Sequence, residues 1–193
     1  MGGKLQRFNN MNILDLGEMT SLENKVVVIT GGCGLIGNNL AKAASILKAK
    51  LVIIDKEENG YKEVYKKNNW DLFLVNLNEK SSTKKVIDNI FNKYGDIHVL
   101  INAAGFAMRD LKNANFNFFE KFEDYDEDLW QESLLGNLNS TLFITQLVGK
   151  RMKEVKYGKI LNIASDVGVI SPDHRIYEKN EKYDYNGVNF NTP

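Results

Sequence analysis

Five short apolar runs punctuate the chain, and the longer stretches between them carry apolar residues at helical spacing. Lys25-Val26-Val27-Val28-Ile29-Thr30 is β-branched and runs into glycines. Leu51-Val52-Ile53-Ile54, closing at Asp55, has the same character. So do Leu72-Phe73-Leu74-Val75, Ile97-His98-Val99-Leu100-Ile101 and Lys159-Ile160-Leu161-Asn162-Ile163. Unbroken runs of this length suit strands buried on both faces, as in a parallel sheet. Leu35, Ile36, Leu40, Ala43, Ala44 and Leu47 predict a helix over 35–47. Glu57 to Lys67 predicts a polar helix. Another ends at Tyr94, capped by Asn78 or Ser81, with Val86, Ile87, Ile90 and Phe91 turned inward. A last helix is expected from about Asp126 to Lys153.

Strands alternating with helices imply an α/β fold, a doubly wound parallel sheet with helices on both faces. Ligands bind such sheets at the carboxyl ends of the strands, where the strand order reverses. Residues 1–22 read as a loose leader, with Met1 or Met11 as the start, and 23–193 as one domain. Residues 106–125, rich in Asn and Phe, predict a long loop in which Phe116, Phe118 and Phe119 close over the sheet. Beyond Ser171-Pro172 the composition turns polar and no further strand is expected.

Charge and cysteine content narrow the field. Lys plus Arg and Asp plus Glu each total 25, so the net charge is zero and the basic excess of a nucleic-acid binder is missing. Cys33 is the only cysteine, so no intrachain disulfide can form, and a reducing cytoplasm is expected. No apolar run approaches the roughly 20 residues of a membrane helix. The first residues lack the apolar core of a signal peptide, and Gln6 spoils a myristoylation motif at Gly2. His98 and His174 are too isolated for a metal site. Asp124, Asp126, Glu127 and Asp128 read as helix-capping and dipole-complementing charges.

The densest chemistry is Thr30-Gly31-Gly32-Cys33-Gly34-Leu35-Ile36-Gly37, between a buried strand and a helix. Glycines there let the backbone turn tightly and approach a pyrophosphate, and the amides at the helix start favour its charge. A plain tight turn would need no such placement. Asp55 closes the second strand, about 18 residues after Gly37, near the roughly 20-residue offset of a ribose-binding acid. A carboxylate there accepts from both ribose hydroxyls and repels a 2′-phosphate, which favours NAD over NADP. The adjacent Lys56 works slightly the other way.

With these motifs the sequence resembles the short-chain dehydrogenase/reductase family over about residues 24–172, and the resemblance implies a Rossmann fold. Asn102-Ala103-Ala104-Gly105 is similar to the family's Asn-Asn-Ala-Gly. The resemblance implies that this backbone lies against the adenosine ribose while Asn102 braces the sheet. Asn76, followed by Leu77, stands where the family usually has an Asp near the adenine. Its carbonyl would still accept from the adenine amino group. Asn137 resembles the family's mid-helix Asn, whose implied role is to kink the helix and hold a water in a proton relay. Ser165, with Gly168 three residues on, resembles the catalytic Ser at a strand end, implied to bind the substrate oxygen during hydride transfer. The glycine spacing fits the extended branch of the family better. The other motifs fit the classical branch, and more of them agree.

One family motif is missing. The acid/base Tyr of the family needs a Lys one helical turn later. No Tyr here has it: Tyr177 is followed by Glu181, Tyr183 by Gly187 and Tyr185 by Asn189. Ser165 to Tyr177 resembles a bacterial subgroup tied to surface-sugar and flagellin-glycan biosynthesis, in which an insertion delays the Tyr and Lys. The expectation is therefore a C-terminally truncated chain and an incomplete sheet, lacking helices that commonly form the family's homo-oligomer interfaces. The resemblance implies an NAD-dependent oxidoreductase acting on a hydroxyl or carbonyl of a small molecule, such as a sugar derivative. Two alternatives stay open: a fragment that binds NAD without turnover, and an extended-type nucleotide-sugar epimerase or dehydratase.

Overall fold

The computed structural model describes residues 20–106, 122–165 and 168–170. In chain order the elements are β1 (Val26–Thr30), α1 (Leu35–Ile46), β2 (Lys50–Asp55), α2 (Lys62–Lys67), β3 (Asp71–Leu74), α3 (Lys80–Tyr94) and β4 (Val99–Asn102). A 3-10 turn (Phe122–Asp124), α4 (Glu127–Leu134), a π-helical turn (Leu135–Asn139), α5 (Ser140–Glu154) and β5 (Lys159–Asn162) complete them. The strands form one five-stranded parallel sheet in the order β3-β2-β1-β4-β5. The order reverses between β1 and β4, which opens a crevice at their carboxyl ends.

Period-two alternation sorts the strand residues onto two cores. Val26, Val28, Val52, Ile54 and Leu100 face α3 and α5, where Ile87, Ile90, Ile144 and Val148 meet them. Val27, Ile29, Leu51, Ile53 and Ile101 face the other way, toward Ala41 and Ala44 of α1 and Tyr65 of α2. β1 is buried along its whole length because it is covered on both faces and flanked on both edges. Burying each such Val or Ile side chain contributes roughly 1.5–3 kcal/mol. Among the described residues β5 pairs only with β4, and Ile160 and Leu161 are 39% and 49% exposed.

Several expected boundaries move, each for a local reason. The helix expected from Glu57 begins only at Lys62, because Asn59 and Gly60 take positive φ (44° and 77°) and turn the chain first. Neither Asn78 nor Ser81 caps α3. Its N-cap is Glu79, with no side-chain capping bond, and Asn76 prepares the turn by accepting from Asn78 N–H (3.1 Å) and Glu79 N–H (3.0 Å). The expected single helix over 126–153 is broken by the π-helical turn. Its start is as expected: Asp126 accepts from Leu129 N–H at 2.9 Å, with Glu127 and Asp128 in the first turn. The leader up to residue 19, Phe116, Phe118, Phe119 and the stretch beyond residue 170 lie outside the described residues. Among the described residues no helix is long and apolar enough to cross a membrane.

His98 sits at the amino end of β4, not in a metal site. Its Nδ1 accepts from Val26 N–H (3.1 Å) and its ring meets Tyr157 edge-on at 5.6 Å. Burial, and then the charges of Lys25 and Lys50 against a weaker pull from Asp96, hold its pKa below the ordinary 6.5. An unfolded chain therefore binds this proton first, and the stabilising contribution is intact above about pH 6.5. It is lost as pH falls through the lower folded value. In urea melts from pH 7.5 to 5, His98→Asn is expected to flatten the fall in midpoint seen for wild type. An unchanged slope would contradict this account.

Candidate functional site

The turn after β1 is pressed against the turn after β4. Gly31 has φ +66°, and a Cβ there would stand 2.6 Å from Ala104 Cα and 2.7 Å from the Ala103 carbonyl oxygen. Only a residue without a side chain permits that contact. The buried Thr30 hydroxyl completes the junction by accepting from the N–H groups of both Ala103 and Ala104, each at 3.2 Å.

Most amides of the glycine turn are spent within the protein. Gly31 N–H donates to Ile54 C=O (2.8 Å), Gly34 N–H to Gly31 C=O (3.0 Å) and Cys33 N–H to Asp55 Oδ2 (2.9 Å). Gly32 is buried, and Gly37 lies buried in the first turn of α1. No described residue accepts from the N–H groups of Gly32, Leu35, Ile36 or Gly37, and of these four Leu35 and Ile36 are the exposed ones. These two side chains are 74% and 55% exposed, and the first turn of α1 carries no acidic residue. The electropositive start of α1 thus faces the crevice. The glycines shape the turn, and the two residues after Gly34 present its free donors.

Asp55 stands beside that helix start. Its Oδ1 accepts from Lys56 N–H at 2.7 Å and more loosely from Glu57 N–H at 3.4 Å, and its Oδ2 accepts from Cys33 N–H, so the carboxylate is pinned while Oδ2 keeps a further lone pair. Cys33 itself is buried, and burial and then the Asp55 carboxylate push its thiol up to about 11. Lys56 has an exposed side chain. At the end of β3, Asn76 is exposed with its Oδ1 engaged by Asn78 N–H. Leu77 turns its side chain into the core, so it can offer a ligand only its backbone.

Asn102 is 3% exposed and does brace the sheet: its Nδ2 donates to Thr145 Oγ1 on α5 (3.0 Å) and to Asn162 Oδ1 on β5 (2.8 Å). Gly105 is exposed beyond the alanines. Asn137 lies in the π-helical turn, and its Oδ1 accepts from Phe106 N–H at 2.8 Å. That ties the irregular helix to the loop after β4. A Cβ on Gly136 would stand 2.4 Å from Phe106 Cβ, which is why a glycine precedes Asn137. The Ser140 hydroxyl donates back to Gly136 C=O at 2.7 Å and supports the widened turn. Ser165 follows the end of β5, where Gly168 N–H donates to its carbonyl (3.2 Å). The chain after β5 leaves the sheet beside that after β4, joined by Ile163 N–H on Asn102 C=O at 3.0 Å. All these residues therefore belong to the carboxyl edge of the sheet. Among the described residues no group of His, Cys, Asp or Glu could hold a metal ion.

Sequence reasoning missed Thr30, Thr145 and Asn162 as partners of the site, and it missed Tyr65. Thr30 and Asn162 end strands and were legible as strand-end polar residues. Thr145 and Tyr65 sit on helices, and only packing brings them in.

Two outcomes follow from this geometry. Gly31→Ala is expected to lower stability by about 3 kcal/mol or more in urea unfolding, since it combines a left-handed backbone with a backbone clash. A loss under about 1 kcal/mol would count against the close approach. Cys33 in the folded protein is expected to alkylate slowly around pH 8 and to quicken only toward pH 11. Rapid labelling around pH 8 would show an accessible thiolate instead.

The comparisons with known proteins agree with this architecture. The profile of the short chain dehydrogenase family matches residues 25–177. An NAD-dependent glycerol dehydrogenase from Listeria innocua is 31% identical over 81% of this chain and 58% of its own length. Post-translational flagellin modification protein A from Campylobacter coli is 30% identical over 81% of this chain and 61% of its own length. Among solved structures, a short chain dehydrogenase from Leptospira borgpetersenii with bound NAD+ superimposes with a TM-score of 0.72. It is 28% identical and covers 89% of this chain and 63% of that one. The chain thus spans about three-fifths of the length of these relatives. With the family model matching residues 25–177, most of its length, the chain belongs to the short chain dehydrogenase family.

Proposed function

We propose that this chain binds NAD at the carboxyl edge of its sheet and that the protein is an NAD-dependent oxidoreductase of small hydroxyl or carbonyl compounds. The observation that carries the reading is the Asp55 carboxylate pinned 2.9 Å from Cys33 N–H, next to the open amides of Leu35 and Ile36. Those amides and the α1 dipole would take the pyrophosphate. Asp55 would take the two hydroxyls of the adenosine ribose, with Lys56 beside it. Asn76, the Leu77 backbone and the run Asn102-Ala103-Ala104-Gly105 would line the adenosine half. A 2′-phosphate would stand against the Asp55 charge, which favours NAD over NADP. The residues present thus fit a dinucleotide.

Bound NAD would supply the hydride acceptor. Ser165 would orient the substrate oxygen, and Asn137 would hold the loop after β4 in place beside it. The name of the Listeria relative supports a polyol as substrate, and a surface-sugar derivative is the second substrate class of this reading. A cytoplasmic site of action is part of the same reading. The missing Tyr-x-x-x-Lys favours a narrower statement for these 193 residues: binding with negligible turnover.

Calorimetric titration tests both parts. NAD is expected to bind at least about tenfold more tightly than NADP, and Asp55→Asn to narrow that ratio. NADH production by the 193-residue chain with glycerol or other polyols is expected to stay at background. Absent NAD binding, or equal affinity for NADP, would overturn the cofactor reading. Steady turnover would overturn the narrower one.

A further inference from the structure

Beneath the glycine turn lies a side chain that the family motifs leave unused. Tyr65 of α2 is fully buried, with Tyr61 stacked on it (centroids 5.6 Å apart, planes 11° apart) and Trp70 tilted against it at 5.3 Å. Its hydroxyl donates to Gly32 C=O at 2.6 Å and lies 3.5 Å from Oδ1 of the buried Asn38 on α1. Burial raises its pKa, so the hydroxyl remains a donor at any working pH.

The contact matters because a trans peptide unit is rigid and planar, and its C=O and N–H point in opposite directions. The unit joining Gly32 to Cys33 is held at both ends. Tyr65 takes the carbonyl on the core side, and Asp55 Oδ2 takes the N–H on the crevice side. Rotation of this plane would break both bonds at once. It would free Asp55 Oδ2, leaving the carboxylate tied only through Oδ1 to Lys56 and Glu57 N–H, and shift the chain that leads through Gly34 to the open amides of Leu35 and Ile36. The next carbonyl, that of Cys33, accepts from Asn59 Nδ2 at 3.5 Å, so the bend before α2 adds a second, looser tie.

We propose that Tyr65 is a positioning residue for the dinucleotide: its buried hydroxyl sets the plane of the Gly32–Cys33 peptide and so aims both the phosphate-facing amides and the ribose-binding acid. This rests on the NAD reading above. The aromatic pair around Tyr65 holds the ring, and the hydroxyl alone does the aiming.

The test uses Tyr65→Phe in the 193-residue chain, with Tyr61→Phe as control. The control keeps a ring in the stack while removing a hydroxyl that donates to no described residue. NAD and NADP affinities are measured by calorimetry well below the melting temperature of each protein. Tyr65→Phe is expected to weaken NAD by roughly tenfold and NADP by less, so that the preference for NAD falls. Tyr61→Phe is expected to change neither. A merely structural role would lower the melting temperature of Tyr65→Phe while leaving its affinity for NAD and its NAD-to-NADP ratio at wild-type values, and that result overturns the proposal. Wild type that fails to bind NAD overturns the cofactor reading, and the proposal with it. Should Tyr65→Phe not fold, amide hydrogen exchange of the wild type decides: a protected Cys33 N–H supports the clamp, and free exchange there overturns it.

Discussion

The site depends on one backbone-to-backbone contact, the seating of Gly31 against Ala103 and Ala104. It occurs where the sheet order reverses, between β1 and β4, so the turns after these two strands must share one small space. A Cβ at position 31 would separate them. With Gly31 in the left-handed region and Thr30 bridging to both alanine amides, the two turns form a single floor. Everything proposed to hold a ligand is placed relative to that floor. Asp55 is one strand over, and the start of α1 lies above it. Asn102 ties β4 to β5 and α5 just beneath.

Hydrogen-bond accounting explains which groups face outward. A buried backbone group left unpaired is costly, and three amides of the turn bond within the protein. Gly31 and Gly34 close the turn on backbone carbonyls, and Cys33 donates to Asp55. The donors that remain are those a helix cannot satisfy at its start. The exposed members of that set are Leu35 and Ile36, beside a carboxylate held by backbone amides. Such a pair suits a ligand carrying both a phosphate and a sugar diol.

The helix break at Leu135–Asn139 follows the same logic on the opposite wall. Gly136 lets Phe106 approach, and Asn137 captures the Phe106 amide. The Ser140 hydroxyl donates to Gly136 C=O across the widened turn. Because the acceptor is the Asn137 side-chain oxygen, the bond ties the irregular turn to the loop after β4. The irregularity and the loop after β4 therefore stabilise each other.

Strand positions, their parallel pairing and the glycine turn after β1 were legible in the residues, because periodicity and glycine placement are local properties. The start of α2 was misread because composition does not reveal that Asn59 and Gly60 adopt positive φ. The capping of α3 was misread because Asn76, one turn earlier, already ties the approach to the helix. Sequence by itself determined the element types, the two-sided burial of β1 and β2 and the glycine turn that follows β1, since each follows from side chains a few residues apart. Tertiary structure alone decided which amides stay open, that Asp55 grips Cys33, and that Tyr65 reaches Gly32 from 33 residues away. Those depend on how separate elements pack, and packing is settled by shape and partner satisfaction over the whole fold.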